Sequence, residues 1–129
     1  MTLADIRDYV DALGIADHVY QSKLPRKPEK AVGVYNSRRA NEYKTAIGGH
    51  ELESYGTRYV TFLVHWNKSP RETEAAAVAL FEALRDTREA VINDATIKFI
   101  LPLNDIQDVG TDDDGICEMV IDAAVVYGK

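Results

Sequence analysis

Residues 110–129 constrain the fold of this chain more than any other stretch. The acidic turn Thr111-Asp112-Asp113-Asp114-Gly115 leads into Ile116-Cys117-Glu118-Met119-Val120-Ile121-Asp122-Ala123-Ala124-Val125-Val126-Tyr127, the longest run with strand character. Successive side chains of a strand point to opposite faces, so Cys117, Met119, Ile121, Ala123, Val125 and Tyr127 share one face able to enter a core. Glu118 and Asp122 share the other with Ile116, Val120, Ala124 and Val126. Such a strand belongs inside a sheet, with its mixed face turned to solvent or to another chain.

A chain of 129 residues, 46% apolar and 28% charged, suits one domain over 1–129 whose core needs no disulfide or metal. Fifteen basic against 21 acidic residues give a net charge of −6, which argues against a surface adapted to phosphate backbones and so against specific nucleic-acid binding. Cys117 is the single cysteine, on the apolar face, and reads as a small buried hydrophobe rather than a nucleophile. No segment has the apolar length of a membrane span, and Met1-Thr2-Leu3-Ala4-Asp5 lacks the character of a secretion signal. The expected setting is cytoplasmic, without membrane partners.

In chain order, Thr2 caps a first helix with Asp5 at its third position; Leu3, Ile6, Val10 and Leu13 form its apolar stripe and Gly14 its left-handed stop. Strands are expected at residues 18–22 and 31–35, where Gly33 signals a bulge or a close backbone approach rather than a binding loop. Residues 36–55 read as an irregular loop or hairpin arm. It holds Arg38, Arg39 and Lys44, candidate contacts to an acidic partner, and a Gly48-Gly49 pair without the context of a phosphate-binding loop. Residues 57–66 form a central strand, with Val60, Phe62, Val64 and Trp66 on one face and Tyr59, Thr61, Leu63 and His65 on the other. Ser69, Pro70 and Glu72 open a second helix as a capping box, with Thr73, Ala77, Leu80, Phe81 and Leu84 buried and the helical region ending at Asn93-Asp94. A strand at 96–101 and a short extended piece at 105–109 precede the acidic turn. This order predicts an α+β fold: a mixed or antiparallel sheet of four to five strands with two helices packed on one face and the opposite face uncovered.

Candidate chemistry centres on Asp105, Asp108, Asp112, Asp113 and Asp114. Hard cations favour several oxygen ligands from one loop, so a small metal-dependent enzyme or metal-binding domain using these carboxylates with His65 is the alternative reading. The contiguous aspartates lack the alternating pattern of a calcium loop, and Asp114-Gly115 before a strong strand is explained as a hairpin turn. His18, His50 and His65 have no zinc-site spacing. His65 is a candidate to meet Asp122 across the sheet, and Arg58 to pair with Glu118 or Asp122.

The segments Val19-Tyr20, Lys23-Leu24-Pro25, Gly33-Val34-Tyr35, Tyr59-Val60-Thr61-Phe62-Leu63-Val64-His65-Trp66-Asn67 and Val109-Gly110-Thr111-Asp112-Asp113-Asp114-Gly115-Ile116 together resemble the phage minor capsid proteins of long-tailed phages and prophages of low-GC Gram-positive bacteria. These are similar to tail-terminator, or tail-completion, proteins. The resemblance covers nearly the whole chain and implies a structural virion protein, not an enzyme, with no catalytic residue, cofactor or metal to carry over. It implies assembly in the host cytoplasm as a ring, sixfold in expectation, that stops the tail tube and joins it to the head. Its partners would be copies of itself, the tail-tube protein and head-completion or connector proteins. Arg38, Arg39, Lys44, Arg58, Glu118 and Asp122 are the expected subunit or partner contacts.

Overall fold

The computed structural model describes residues 1–23, 29–37 and 55–128. Its elements follow the order α1 (Leu3–Ala12), β1 (His18–Gln21), β2 (Ala31–Asn36), β3 (Tyr55–His65), α2 (Pro70–Arg85), β4 (Arg88–Ile92), β5 (Ala95–Pro102), β6 (Gln107–Thr111) and β7 (Cys117–Gly128). The strands form one mixed sheet in the order β1-β2-β3-β7-β5-β4, with β6 lying beside the first part of β7. Among the described residues only β1 and β2 run parallel, and seven strands stand where four to five are expected from the sequence.

The helix ends are largely those the sequence specifies. Thr2 Oγ1 accepts the Asp5 amide at 3.2 Å, while the Thr2 amide donates to Asp5 Oδ2 at 2.9 Å. Two otherwise free donors are thereby satisfied together. Gly14, at φ +72°, takes the left-handed conformation that ends the segment. In α2, Ser69 Oγ accepts the Glu72 amide at 3.2 Å, but the Ser69 amide donates to Asn67 Oδ1 at 3.0 Å, so Asn67 takes the part expected of Glu72.

The additional hairpin lies where the sequence reads as helix. After Arg85 the chain leaves the helix through Asp86; Thr87 Oγ1 donates back to the Ala83 carbonyl and receives the Tyr9 hydroxyl at 2.7 Å. Residues 88–92 then pair with β5 across Asn93-Asp94, both left-handed at φ 49° and 64°. Asn and Asp tolerate that conformation, and a two-residue turn of this hand matches the twist of the strands it joins. The dipeptide is thus a hairpin turn and not a helix end.

Both helices pack on one face, as expected. Val60, Phe62 and Val64 of β3 stand opposite Ala123, Ile121 and Met119 of β7, and this inner face buries Leu3, Ile6 and Val10 of α1 with Ala76, Ala77, Leu80 and Leu84 of α2. The curl of the sheet brings β4 as well as β1 and β2 against α1. Asn93 Nδ2 donates to Asp8 at 2.6 Å, and Arg7 Nε donates to the Val19 carbonyl at 3.0 Å, occupying a backbone acceptor of edge strand β1. Helix α1 therefore straps the two sides of the sheet together. Phe62 is wholly buried at the centre of this core, and Phe62→Ala is expected to lower stability by about 4 kcal/mol in urea denaturation, without loss of helix content at neutral pH.

Candidate functional site

Strand pairing places Tyr35, Thr61, Leu63, Val120 and Asp122 together on the outer face, opposite the helices. With Asn36 and Ser37 they line a hollow of about 510 Å³. Gly33 makes room for the Tyr35 ring, which folds back across it: a side chain there would begin 2.5 Å from Tyr35 Cε2. Burial pushes the Tyr35 phenol above its ordinary pKa, and the charge of Glu118 adds to the shift. On the hollow's wall, Thr61 Oγ1 donates to Asp122 Oδ1 at 2.6 Å and Asn104 Nδ2 approaches Asp122 Oδ2 at 3.5 Å. No described residue supplies Asp122 with a cationic partner.

Two pairings expected from the sequence do not form. Arg58 stands opposite Val125, so its side chain lies on the helix side, whereas Glu118 and Asp122 lie on the outer face. There Arg58 Nη2 donates to Asn36 Oδ1 at 2.8 Å and Nη1 to the Met1 carbonyl at 3.3 Å, tying the first residue to the end of β2. His65 shares the outer face with Asp122 but stands opposite Glu118, while Asp122 stands opposite Thr61. Four residues of strand, roughly 13 Å, separate them. Arg38, Arg39 and Lys44 lie outside the described residues. Glu118 is half-buried on the outer face, and Cys117 is half-buried rather than enclosed in the core.

His65 meets a different aspartate. Its Nε2–H donates to Asp112 Oδ2 at 2.8 Å, with the His65 side chain fully buried and that of Asp112 5% exposed. Asp112 Oδ1 accepts the amides of Asp114 and Ile116, both at 2.9 Å. One carboxylate thus closes the acidic turn on itself and fastens it to the end of β3. The His65 hydrogen bond, followed by the Ile116 amide, holds the Asp112 carboxyl down at about 2. Asp113 and Asp114 are left exposed at the tip; Asp108 spends one oxygen on the Gly110 amide. These acids do not converge, and among the described residues no group of three or more His, Cys, Asp or Glu is placed to hold a metal ion.

A second hollow, of about 540 Å³, lies at the far end of the outer face and is lined by Tyr55, Arg88, Glu89, Lys98, Phe99 and Val126. The sequence gives no hint of it while Arg88 reads as helical. Thr61 and Leu63, by contrast, are legible as outer-face residues from alternation alone. Leu101, Phe99 and Tyr55 are exposed between and beside the two hollows. An apolar sheet face of this kind, with few polar groups set into it, is suited to contact with another protein surface.

These features define a small α+β protein with one sheet face packed on its helices and the other left uncovered. A sequence profile described as bacteriophage tail terminator protein matches residues 6–128, and the chain belongs to that family. It is accordingly a structural component of phage tail assembly. Among solved structures, the gp17 protein of bacteriophage SPP1 is similar, with 14% identity and a TM-score of 0.48 over 95% of this chain and 83% of that one. A comparison with curated proteins finds no match.

The His65–Asp112 clamp has a pH signature. The Asp112 carboxyl titrates lower in the folded protein than its ordinary 3.8, so its stabilising contribution is complete above pH ~4 and is lost as pH falls towards 2. Asp5, lowered by the Thr2 amide, and Asp8, lowered by Arg7, act in the same direction. Asp112→Asn should therefore be less stable than the parent at pH 6, with the gap narrowing steadily between pH 4 and 2 in denaturant titrations. A gap independent of pH would remove the charge from this account.

Proposed function

We infer that this protein closes the end of the phage tail tube as a ring of identical subunits and presents the surface to which the head is joined. Family membership supplies the setting, and the uncovered outer face around Asp122 is the observation that favours working by contact between subunits. A ring of identical copies uses two different patches of each subunit, and this face offers two separate hollows. The tail-tube protein and head-completion proteins are the further partners in this reading. The surplus of acid suits a lumen that repels the DNA passing through it.

Asp122 separates assembly from folding. Its hydrogen bonds come from neutral groups at the surface of the sheet, so Asp122→Lys should cost about 1 kcal/mol of stability and shift Tm by about 3 °C. Assembly into virions should fall far more. Particles made without the protein should carry overlong or headless tails in electron micrographs, and normal tails would defeat the reading. An Asp122→Lys variant that fails to fold would refute the division between face and core.

A further inference from the structure

Charge is unevenly divided along this chain. Residues 99–128 contain seven acids, Asp105, Asp108, Asp112, Asp113, Asp114, Glu118 and Asp122, and no lysine or arginine. The remaining residues hold 14 acids against 15 bases, so the negative balance resides in the β6–β7 hairpin and the short segment leading into it. We propose that the acidic tip of this hairpin seats in the hollow formed by Tyr55, Arg88, Lys98 and Phe99 of a second copy. The proposal deepens the ring reading above and rests on it for its biological setting.

The tip is shaped in advance. Asp112 spends its carboxylate on His65 and on the Asp114 and Ile116 amides, so the turn is held before any partner arrives and little ordering remains to oppose binding. Asp113 and Asp114 are exposed and make no ion pair among the described residues. Beside them Val109, at the register shift in β6, is half exposed and supplies an apolar group.

The hollow offers the complement. Phe99, Tyr55 and Val126 give it apolar walls, and Phe99 and Tyr55 are open to solvent. Arg88 Nη1 donates to the Arg85 and Thr87 carbonyls at 2.8 and 2.7 Å, which fixes the guanidinium while leaving it no carboxylate among the described residues. Lys98 meets Glu89 at 3.3 Å in an exposed pair. Such a pair contributes little and leaves the ammonium accessible to a further carboxylate. Among the described residues, Glu89 is the acid that lines the hollow, and it moderates the positive charge there.

The two features lie at opposite ends of β7. Thr111 stands opposite Cys117, and Ile97, next to Lys98, stands opposite Tyr127. Ten residues of strand span roughly 33 Å. A copy therefore cannot fill its own hollow, yet every copy carries both halves of the contact. That is the requirement for a heterologous head-to-tail interface, and opposite charge at its two sides selects tip-to-hollow over tip-to-tip encounters.

The test uses two variants of the full chain. Asp113→Lys with Asp114→Lys makes tip and hollow both basic; Arg88→Glu with Lys98→Glu makes both acidic. Circular dichroism and thermal melts first establish that each is folded, as expected for exposed positions. In sedimentation velocity at low salt and high protein concentration, wild type should self-associate, with association weakening as salt rises. Each variant alone should associate roughly tenfold more weakly, and an equimolar mixture should recover association to within about threefold of wild type, because unlike charges then face each other. Wild type that stays monomeric throughout, a variant that associates normally alone, or a mixture that stays monomeric would each overturn the contact. Tail length in particles lacking the protein reports separately on the terminator role, so failure of one reading is distinguishable from failure of the other.

Discussion

The ladder between β3 and β7 is the constraint on which the rest of the molecule depends. It runs unbroken from Tyr55 opposite Gly128 to His65 opposite Glu118. A slip of one residue would set Phe62 opposite Val120 or Asp122, so that one of the two strands would have to turn its apolar face away from the helices. The inner face prevents it, because Val60, Phe62, Val64, Ile121, Ala123 and Val125 are all buried against the two helices. The same register that fills the core therefore sets Thr61 against Asp122 and leaves Leu63 beside Val120 on the outside.

From that ladder the division of labour follows. One face of the sheet meets the helices and carries stability; the other presents apolar side chains around Asp122 and carries the contacts proposed for assembly. The hairpin between β6 and β7 extends this second face and is held by an acid that works within the chain. Asp112, the first of the three consecutive aspartates, spends both carboxylate oxygens within the chain. Its neighbours Asp113 and Asp114 remain available because Asp112 holds the turn rigid.

Several errors of sequence reading share a cause. Arg88-Glu89-Ala90-Val91-Ile92 contains no breaker and follows a strong helix, so local preference continues the helix through it. Pairing with β5 and the Tyr9–Thr87 contact override that preference, and Asn93-Asp94, between Val91-Ile92 and the strand-forming Thr96-Ile97, is the local signal for a hairpin. Complementary charge suggests pairing Arg58 with Glu118 or Asp122 and His65 with Asp122, but charge does not set register. For Arg58 the parity of the ladder decides the face; for His65 the distance along it decides the partner.

What the sequence by itself determined are the features written in a few adjacent residues. Thr2 with Asp5, Gly14, and Ser69 with Pro70 specify where helices begin and end, since capping satisfies local backbone groups. Alternation along residues 57–66 and 116–127 specifies two central strands and their buried faces, since the pleat repeats every second residue. Tertiary structure alone decided the order of strands in the sheet, the fastening of Asp112 to His65, and the gathering of Tyr55, Arg88, Lys98 and Phe99 around one hollow. Each depends on pairing between segments distant in the chain, and such pairings are chosen by how the whole core closes.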